Sequence, residues 1–300
     1  MPKYVVHKAV EVRKVKKKLQ PTENELRTEY LAQPKYDGCC CVVIKEAHAK
    51  EGITILSRTG ETVHSAEHSK ESIASAPFAP LGVYFGEYWH PEVDQSTVSG
   101  WFRDTKAQHP EAFFVVWDYV SLEEYERGES PLTYQERVQR LPSTLSRVEE
   151  CKAPFFLAEG QGFLIDQELG SMEAARMLAS SGNFDGIILR KPSGLWRKGD
   201  LGTSGEVIKV KPTLTLDLSV IKVNVGVGEK TSRKVYTIVV RLPDGKEQEV
   251  GAGVPHTFEE VPLPGHIVEI EAMCYSKYGL LREPRFKGIR YDKLEADSAD

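Results

Sequence analysis

Short apolar runs separated by polar turns dominate the first two thirds of this chain. Residues 39–44, Cys-Cys-Cys-Val-Val-Ile, form an unbroken apolar run, which predicts a strand buried on both faces. Residues 52–60 predict a second strand that ends in a polar turn and pairs with the first as a hairpin through residues 45–52. Residues 83–89 and 113–120 read as further buried strands, 155–157 as a short one, and 184–190 and 207–212 as the last two of this part. Helices are predicted over 131–141 and 171–179. In the first, Thr133 is the cap, Glu136 its capping-box partner, and Val138 and Leu141 the inward stripe. The second is rich in Ala, Met and Leu and stops at Gly182. Residues 4–12 read as a strand or a packed start, 14–18 as a turn or helix edge, 22–30 as a polar connection, 96–103 as a small-residue turn, and 196–205 as a loop.

After Pro212 the texture changes. Strand signals recur at 217–227, 234–242, 247–250, 267–273 and 286–289, joined by turns such as Pro243-Asp244-Gly245 and Pro264-Gly265. Five short strands in so few residues predict a small barrel such as an OB-fold. The expected class is α+β, with antiparallel sheets and flanking helices over residues 1–213 and the barrel over 214–300.

The chain has 300 residues, 40% of them hydrophobic, which is enough for a sizeable core and fits two domains. No apolar run is long enough to span a bilayer, and residues 1–20 lack a signal-peptide pattern, so a cytoplasmic protein is expected. The five cysteines include the triplet Cys39, Cys40 and Cys41 but no C-x-x-C spacing. That supports neither a zinc site nor a disulfide framework and fits small buried residues in a reducing compartment. The net charge is -5. A polyanion would therefore be held by local stripes. Residues 3–18 carry seven Lys or Arg against Glu11 alone, and residues 277–293 carry six against Glu283 and Asp292. The plain alternative for each stripe is a solvated face.

Candidate chemistry gathers at strand ends. Lys35 sits beside Asp37 and Gly38 at the mouth of the 39–44 strand, and Arg58 follows the strand that pairs with it. Glu87 interrupts an apolar strand, where an acid needs an open face, a cation or a metal. Asp185 lies near the start of another. Period-2 alternation over 207–212 puts Lys209 and Lys211 on one face. Two like charges there call for an anion between them, such as phosphate.

Six pieces in order carry a resemblance. They are Lys35-Tyr36-Asp37-Gly38, Ser57-Arg58-Thr59-Gly60, Phe85-Gly86-Glu87, Phe184-Asp185-Gly186-Ile187-Ile188-Leu189-Arg190, Ile208-Lys209-Val210-Lys211-Pro212, and the run from Leu281 through Arg282, Glu283, Pro284, Arg285, Phe286, Lys287, Gly288, Ile289, Arg290, Tyr291 and Asp292 to Lys293. Over almost its whole length the chain resembles the ATP-dependent DNA ligases of the covalent nucleotidyltransferase superfamily, most of all the small two-domain ligases of phages and bacteria. The resemblance implies a nucleotidyltransferase (adenylation) domain followed by an OB-fold. It implies that Lys35 is the nucleophile toward ATP, in the catalytic motif with Asp37, and that Lys209 and Lys211 hold the α-phosphate and lower the lysine pKa from its usual value of about 10.4. It further implies that Glu87 binds ribose and helps hold Mg²⁺, that Asp185 binds Mg²⁺, that Arg58 contacts phosphate, and that Arg290 and Lys293 orient the departing pyrophosphate. Gln33 stands where the family often contacts adenine; a plain surface glutamine is the alternative. Arg282, Arg285 and Lys287, with Arg103 and Arg197, are the implied DNA contacts. The expected partner is nicked duplex DNA, clamped by a monomer with its two domains.

One departure stands out. The family usually reads K-x-D-G-x-R, and Cys40 takes the place of that arginine. Arg103 and Arg197 are candidates to compensate. A capping guanylyltransferase using GTP, an RNA ligase, and a degenerate nucleotide- or DNA-binding module remain as alternatives. Because the two domains and their stripes are expected to hold DNA alone, nick binding should weaken steeply between about 50 and 200 mM salt. A salt titration of nicked-duplex affinity checks this, and a flat dependence would count against it.

Overall fold

The computed structural model describes residues 4–75, 79–141, 155–157, 170–181, 184–227, 234–276 and 278–298. The chain divides into two compact units, Met1–Lys211 and Pro212–Asp300.

In the first unit the strands are β1 (Leu31–Tyr36), β2 (Cys39–Lys45), β3 (Ile53–Ser57), β4 (Gly82–Trp89), β5 (Phe113–Val120), β6 (Glu129–Ser130), β7 (Phe155–Leu157), β8 (Phe184–Arg190), β9 (Trp196–Arg197) and β10 (Val207–Val210). The helices are α1 (Glu23–Thr28), α2 (Lys70–Ser75), α3 (Gln95–Arg103), α4 (Leu122–Arg127), α5 (Tyr134–Gln139) and α6 (Ser171–Ser181). They frame two main sheets, beside the two-stranded pair β6-β9. One has the order β3-β2-β4-β5-β7 and the other β1-β8-β10. All their pairings are antiparallel except β5 with β7.

Strand alternation sorts the side chains between the faces. In the smaller sheet Ala32, Ile187, Leu189, Ile208 and Val210 pack with Leu26 of α1 and Ala174 and Ala175 of α6. In the larger sheet Cys41, Val43, Ile55, Tyr84 and Val116 build one core, and Val42, Phe85 and Val120 build another on the opposite face with Val6 and Trp196. Tyr36, Trp89 and Phe184 tie the two sheets together, with Tyr36 4.9 Å from Trp89 and 5.4 Å from Phe184 between ring centroids.

Several local expectations change. Residues 22–30 hold helix α1, because Thr22 and Glu25 form a reciprocal capping box. Residues 96–103 belong to helix α3: Asp94 caps it, and Val98, Trp101 and Phe102 recur at helical spacing. The same Ser121–Glu124 capping box starts α4, which apolar periodicity alone does not reveal. The loop at 196–205 contains β9, paired to β6. Residues 4–12 form no strand, only the bridge Val10–Ile208, and are a packed start with Val6 and Val10 buried. The helix over 131–141 has the predicted Thr133–Glu136 box. The predicted stop of α6 at Gly182 lies outside the described residues.

The second unit is one sheet of β11 (Leu214–Val227), β12 (Lys234–Arg241), β13 (Glu247–Val250), β14 (Ile267–Ala272) and β15 (Arg285–Ile289), in the order β13-β12-β11-β14-β15. The long β11 pairs with β14 through its first half and with β12 through its second, with an irregularity between Val220 and Lys222. The sheet curls until Phe286 N donates to Ala252 O at 2.9 Å, joining its two edges around Leu218, Ile238, Val240, Val268 and Ile270. This is the OB-fold barrel.

The first unit also contains a buried ion pair. Arg137 of α5 donates to both oxygens of Asp118 in β5, at 2.9 Å each. Removing one partner leaves a buried charge uncompensated, so Arg137→Met should destabilise this unit by about 3–5 kcal/mol. Urea unfolding checks this; a loss under about 1 kcal/mol would show that the pair contributes little.

Candidate active site

The site forms where the edge strand β1 meets β8. Pro34 is tolerated in β1 because only one side of an edge strand is paired. Pro34 lies opposite Ile187 and Tyr36 opposite Phe184, so Asp185 and Gly186 together face the single residue Lys35. Gly186 carries this bulge at φ 115°, a conformation open to glycine. Lys35 thus lies within a strand of the smaller sheet, whereas residues 39–45 run in the larger one.

Lys35 Nζ donates to Asp185 Oδ2. Lys211 Nζ lies 3.0 Å from the same oxygen. The Asp185 side chain is only 3% exposed, and that of Lys35 20%. The second oxygen of Asp185, Oδ1, is buried without a hydrogen-bond partner. Lys209 shares the Lys211 face of β10 and lies across Ile188 from Gln33.

Burial alone would raise the Asp185 pKa, but Lys35 and Lys211 outweigh it and hold the carboxyl below its usual range. Lys35 behaves the other way from the expectation. Burial would lower its pKa, yet Asp185 and Glu87 prevail and raise it, so the amine of the free chain is held charged. Lys209 is the lysine that is depressed, by burial and then by Lys211 and Lys35.

Glu87 of β4 lies opposite Cys40 on one side and Val115 on the other. Burial pushes its pKa to about 8; Asp37 and Asp185 add to the shift and Lys35 opposes it. Gly38 makes this approach possible: a Cβ there would stand 2.3 Å from Tyr88 O and 2.9 Å from Glu87 Cγ. Cys40 packs with the Val42 and Phe85 core, its thiol pushed up by burial and by Glu87, with Arg58 the foremost cation acting against that shift.

Gln33 is no surface residue, being 4% exposed. Its Nε2 donates to the Tyr134 hydroxyl at 2.9 Å, and its Oε1 accepts from Arg190 Nε at 2.7 Å. The Arg190 guanidinium lies 5.1 Å from the Tyr134 ring and 5.8 Å from the Trp117 ring. The sequence reading missed Tyr134, Trp117 and the pair Asp118–Arg137. Asp118 carried the same signal as Glu87, an acid inside an apolar strand, and Arg190 stood unassigned inside a quoted motif.

The other candidates are dispersed. Arg58 is exposed just past β3, at the end where Ser57 faces Cys41. Arg103 is exposed at the end of α3, and Arg197 Nη1 lies 3.6 Å from Glu206. In the barrel unit, Arg290 Nη1 donates to both oxygens of Asp217 at 3.0 Å and its other nitrogens bind Asp292, while Lys293 also pairs with Asp217. Lys287 lies 3.2 Å from Glu271, Arg285 is exposed, and Arg282 is half-buried.

For a divalent metal the residues fit. Asp185 offers a hard oxygen with no internal partner, and Glu87 lies within its electrostatic reach. Among the described residues no group of three or more His, Cys, Asp or Glu forms a complete cage. Few carboxylates completed by phosphate oxygens is how Mg²⁺ is commonly held.

A mixed α+β unit followed by an OB-fold is the fold found in solved structures of DNA ligases. A structure described as "Pmar-Lig_Pre." superposes with a TM-score of 0.72 at 20% identity, covering 97% of this chain and 68% of that one. A structure from a study of DNA binding by Lig E DNA ligases gives 0.68 at 16% identity, over 94% and 99%. The ATP-dependent DNA ligase of bacteriophage T7, in complex with ATP, gives 0.52 at 17% identity, over 95% and 98%. No protein-family model and no curated protein sequence matches the chain. Among the described residues no helix is long and apolar enough to cross a membrane.

The raised pKa of Glu87 has a stability consequence. Its ordinary value is 4.5 and its folded value about 8, so the folded chain holds a proton that the unfolded chain releases between them. Stability is therefore full below pH 4.5 and falls as pH rises to 8. In thermal melts without nucleotide or metal, Glu87→Gln should gain on the wild type across this window and level off above it. A difference that stays constant with pH would contradict the assignment.

Proposed function

We propose that this chain is an ATP-dependent DNA ligase that seals nicks in duplex DNA through a lysyl-AMP intermediate. The observation that carries the reading is Asp185 set between Lys35 and Lys211 with one oxygen left unsatisfied, within a fold shared with DNA ligases. In the free chain Asp185 keeps the Lys35 amine charged. A bound Mg²⁺ supplies positive charge at Asp185 and neutralises phosphate. Were Asp185 so engaged, the main influence raising Lys35 would be withdrawn, and the amine would release its proton to solvent more readily. Lys35 Nζ then attacks the α-phosphorus of ATP. A P–N bond forms, the bond to the bridging oxygen breaks, and pyrophosphate leaves with the electron pair. Lys209 and Lys211 offset the charge on the α-phosphate, and Lys209 does so with a lowered affinity for its own proton.

AMP next passes to the 5′-phosphate of a nick, and the 3′-hydroxyl displaces it. Positioning and charge neutralisation carry both steps. Arg290 and Lys293 are the cations assigned to the leaving pyrophosphate, Arg58 to phosphate, and Arg103, Arg197, Arg282, Arg285 and Lys287 to DNA. Arg58 is the foremost cation acting on Cys40 and so the best substitute for the arginine of the usual motif. The protein works as a monomer on DNA in the cytoplasm.

Intact mass after incubation with Mg²⁺ and ATP, GTP or NAD⁺ in separate tubes tests the reading. ATP alone should add one AMP, and Lys35→Ala should abolish the adduct while leaving DNA binding within about twofold. A GMP adduct would indicate a capping enzyme. No adduct from protein free of bound AMP would leave a nucleotide- or DNA-binding module.

A further inference from the structure

We infer that Tyr134 is a positioning residue that locks the Gln33 side-chain amide in one orientation and thereby selects adenine over guanine. The inference rests on the ligase reading and on the contact with adenine that the family resemblance implies for Gln33, and adds to it what decides the base.

The two ends of the amide have distinct partners. Arg190 Nε can only donate, so the atom 2.7 Å from it must be the Gln33 oxygen. Tyr134 could in principle donate or accept. Its single proton is committed elsewhere, to the Trp117 carbonyl at 3.1 Å. Burial pushes the phenol pKa to about 12, so that proton stays in place at neutral pH. The hydroxyl must therefore accept from Gln33 Nε2, at 2.9 Å. A flipped amide would set its NH₂ against the Arg190 N–H and lose its bond at the Tyr134 end as well.

The support is itself anchored. Tyr134 opens α5 and its backbone N–H binds Gly194 O at 2.8 Å. One turn on, Arg137 is pinned by Asp118, by Leu132 O at 2.8 Å and by Gly194 O at 3.1 Å. Gln33 shares with Lys35 the sheet face that carries Lys209, so its spare N–H and its spare lone pair belong to the face where the nucleotide is proposed to bind.

Adenine presents a donor, its 6-amino group, beside the acceptor N1. Guanine presents the reverse, the acceptor O6 beside the donor N1–H. A freely rotating amide serves either order, whereas a locked one serves one alone.

The test is the rate of lysyl-nucleotide formation by the full chain with Mg²⁺ and ATP or GTP, read by intact mass. Tyr134→Phe removes the acceptor that holds Nε2 and leaves Arg190 alone to orient the amide, so the ATP:GTP rate ratio should fall by about two- to tenfold. The ratio is internal to one sample, so a loss of folded protein cancels. Gln33→Glu provides a second arm: an acceptor-only carboxylate suits guanine N1–H and should also shift the ratio toward GTP. Ratios unchanged in both variants, with ATP and GTP rates falling together or not at all, would overturn the inference alone. A wild type that forms no adduct with either nucleotide would overturn the ligase reading beneath it.

Discussion

Asp185 is almost wholly buried, and it remains ionised because two lysine ammonium groups converge on it. A carboxylate taken out of water without such partners would take up a proton. The same pairing is what sequence alternation in β10 required in another guise. Lys209 and Lys211 on one strand face need an anion, and in the free chain Asp185 of β8 supplies it to Lys211, while Glu11 is the acid that acts on Lys209. Asp185 therefore serves Lys35 and Lys211 as their common anion through Oδ2, and its Oδ1 is left unsatisfied. Neighbouring groups adjust around it: Lys35 is raised, Lys209 lowered, and Glu87 pushed toward neutrality by its burial, to which the charges of Asp37 and Asp185 add.

This arrangement demands close backbone approach, and glycines at two points provide it for different reasons. Gly186 supplies a dihedral angle, letting two residues of β8 face one of β1 so that Asp185 meets Lys35. Gly38 supplies space, since any side chain would collide with the backbone of β4 beside Glu87. Tyr36, Trp89 and Phe184 then hold the two sheets together next to the site.

The barrel unit repeats the electrostatic device independently. Arg290 and Lys293 converge on Asp217, a nearly buried acid of β11, much as Lys35 and Lys211 converge on Asp185. In both units two cations converge in the free chain on one nearly buried carboxylate, and Arg290 binds Asp292 as well.

Apolar periodicity sufficed to identify the five barrel strands, the strands of the larger sheet, β8, β10 and the helix capped by Thr133, because each encodes burial locally at a period of 2 or 3.6 residues, but it did not reveal β1, the strand that carries Lys35. It failed at α1, α3 and α4, short helices whose stability comes from a cap and a few packed residues rather than from a long apolar stripe. The order of the motifs groups Lys35, Glu87, Asp185, Lys209 and Lys211 as one candidate set, of which Lys35, Lys211 and Asp185 are in contact in the fold. What the residue string could not convey was the sign of the Lys35 shift, the burial of Gln33, or its ties to Tyr134 and Arg190, residues 101 and 157 positions away. Those depend on which charges and donors the tertiary structure brings within a few ångströms, and Coulomb energies and hydrogen bonds are set by distance in space, not by distance along the chain.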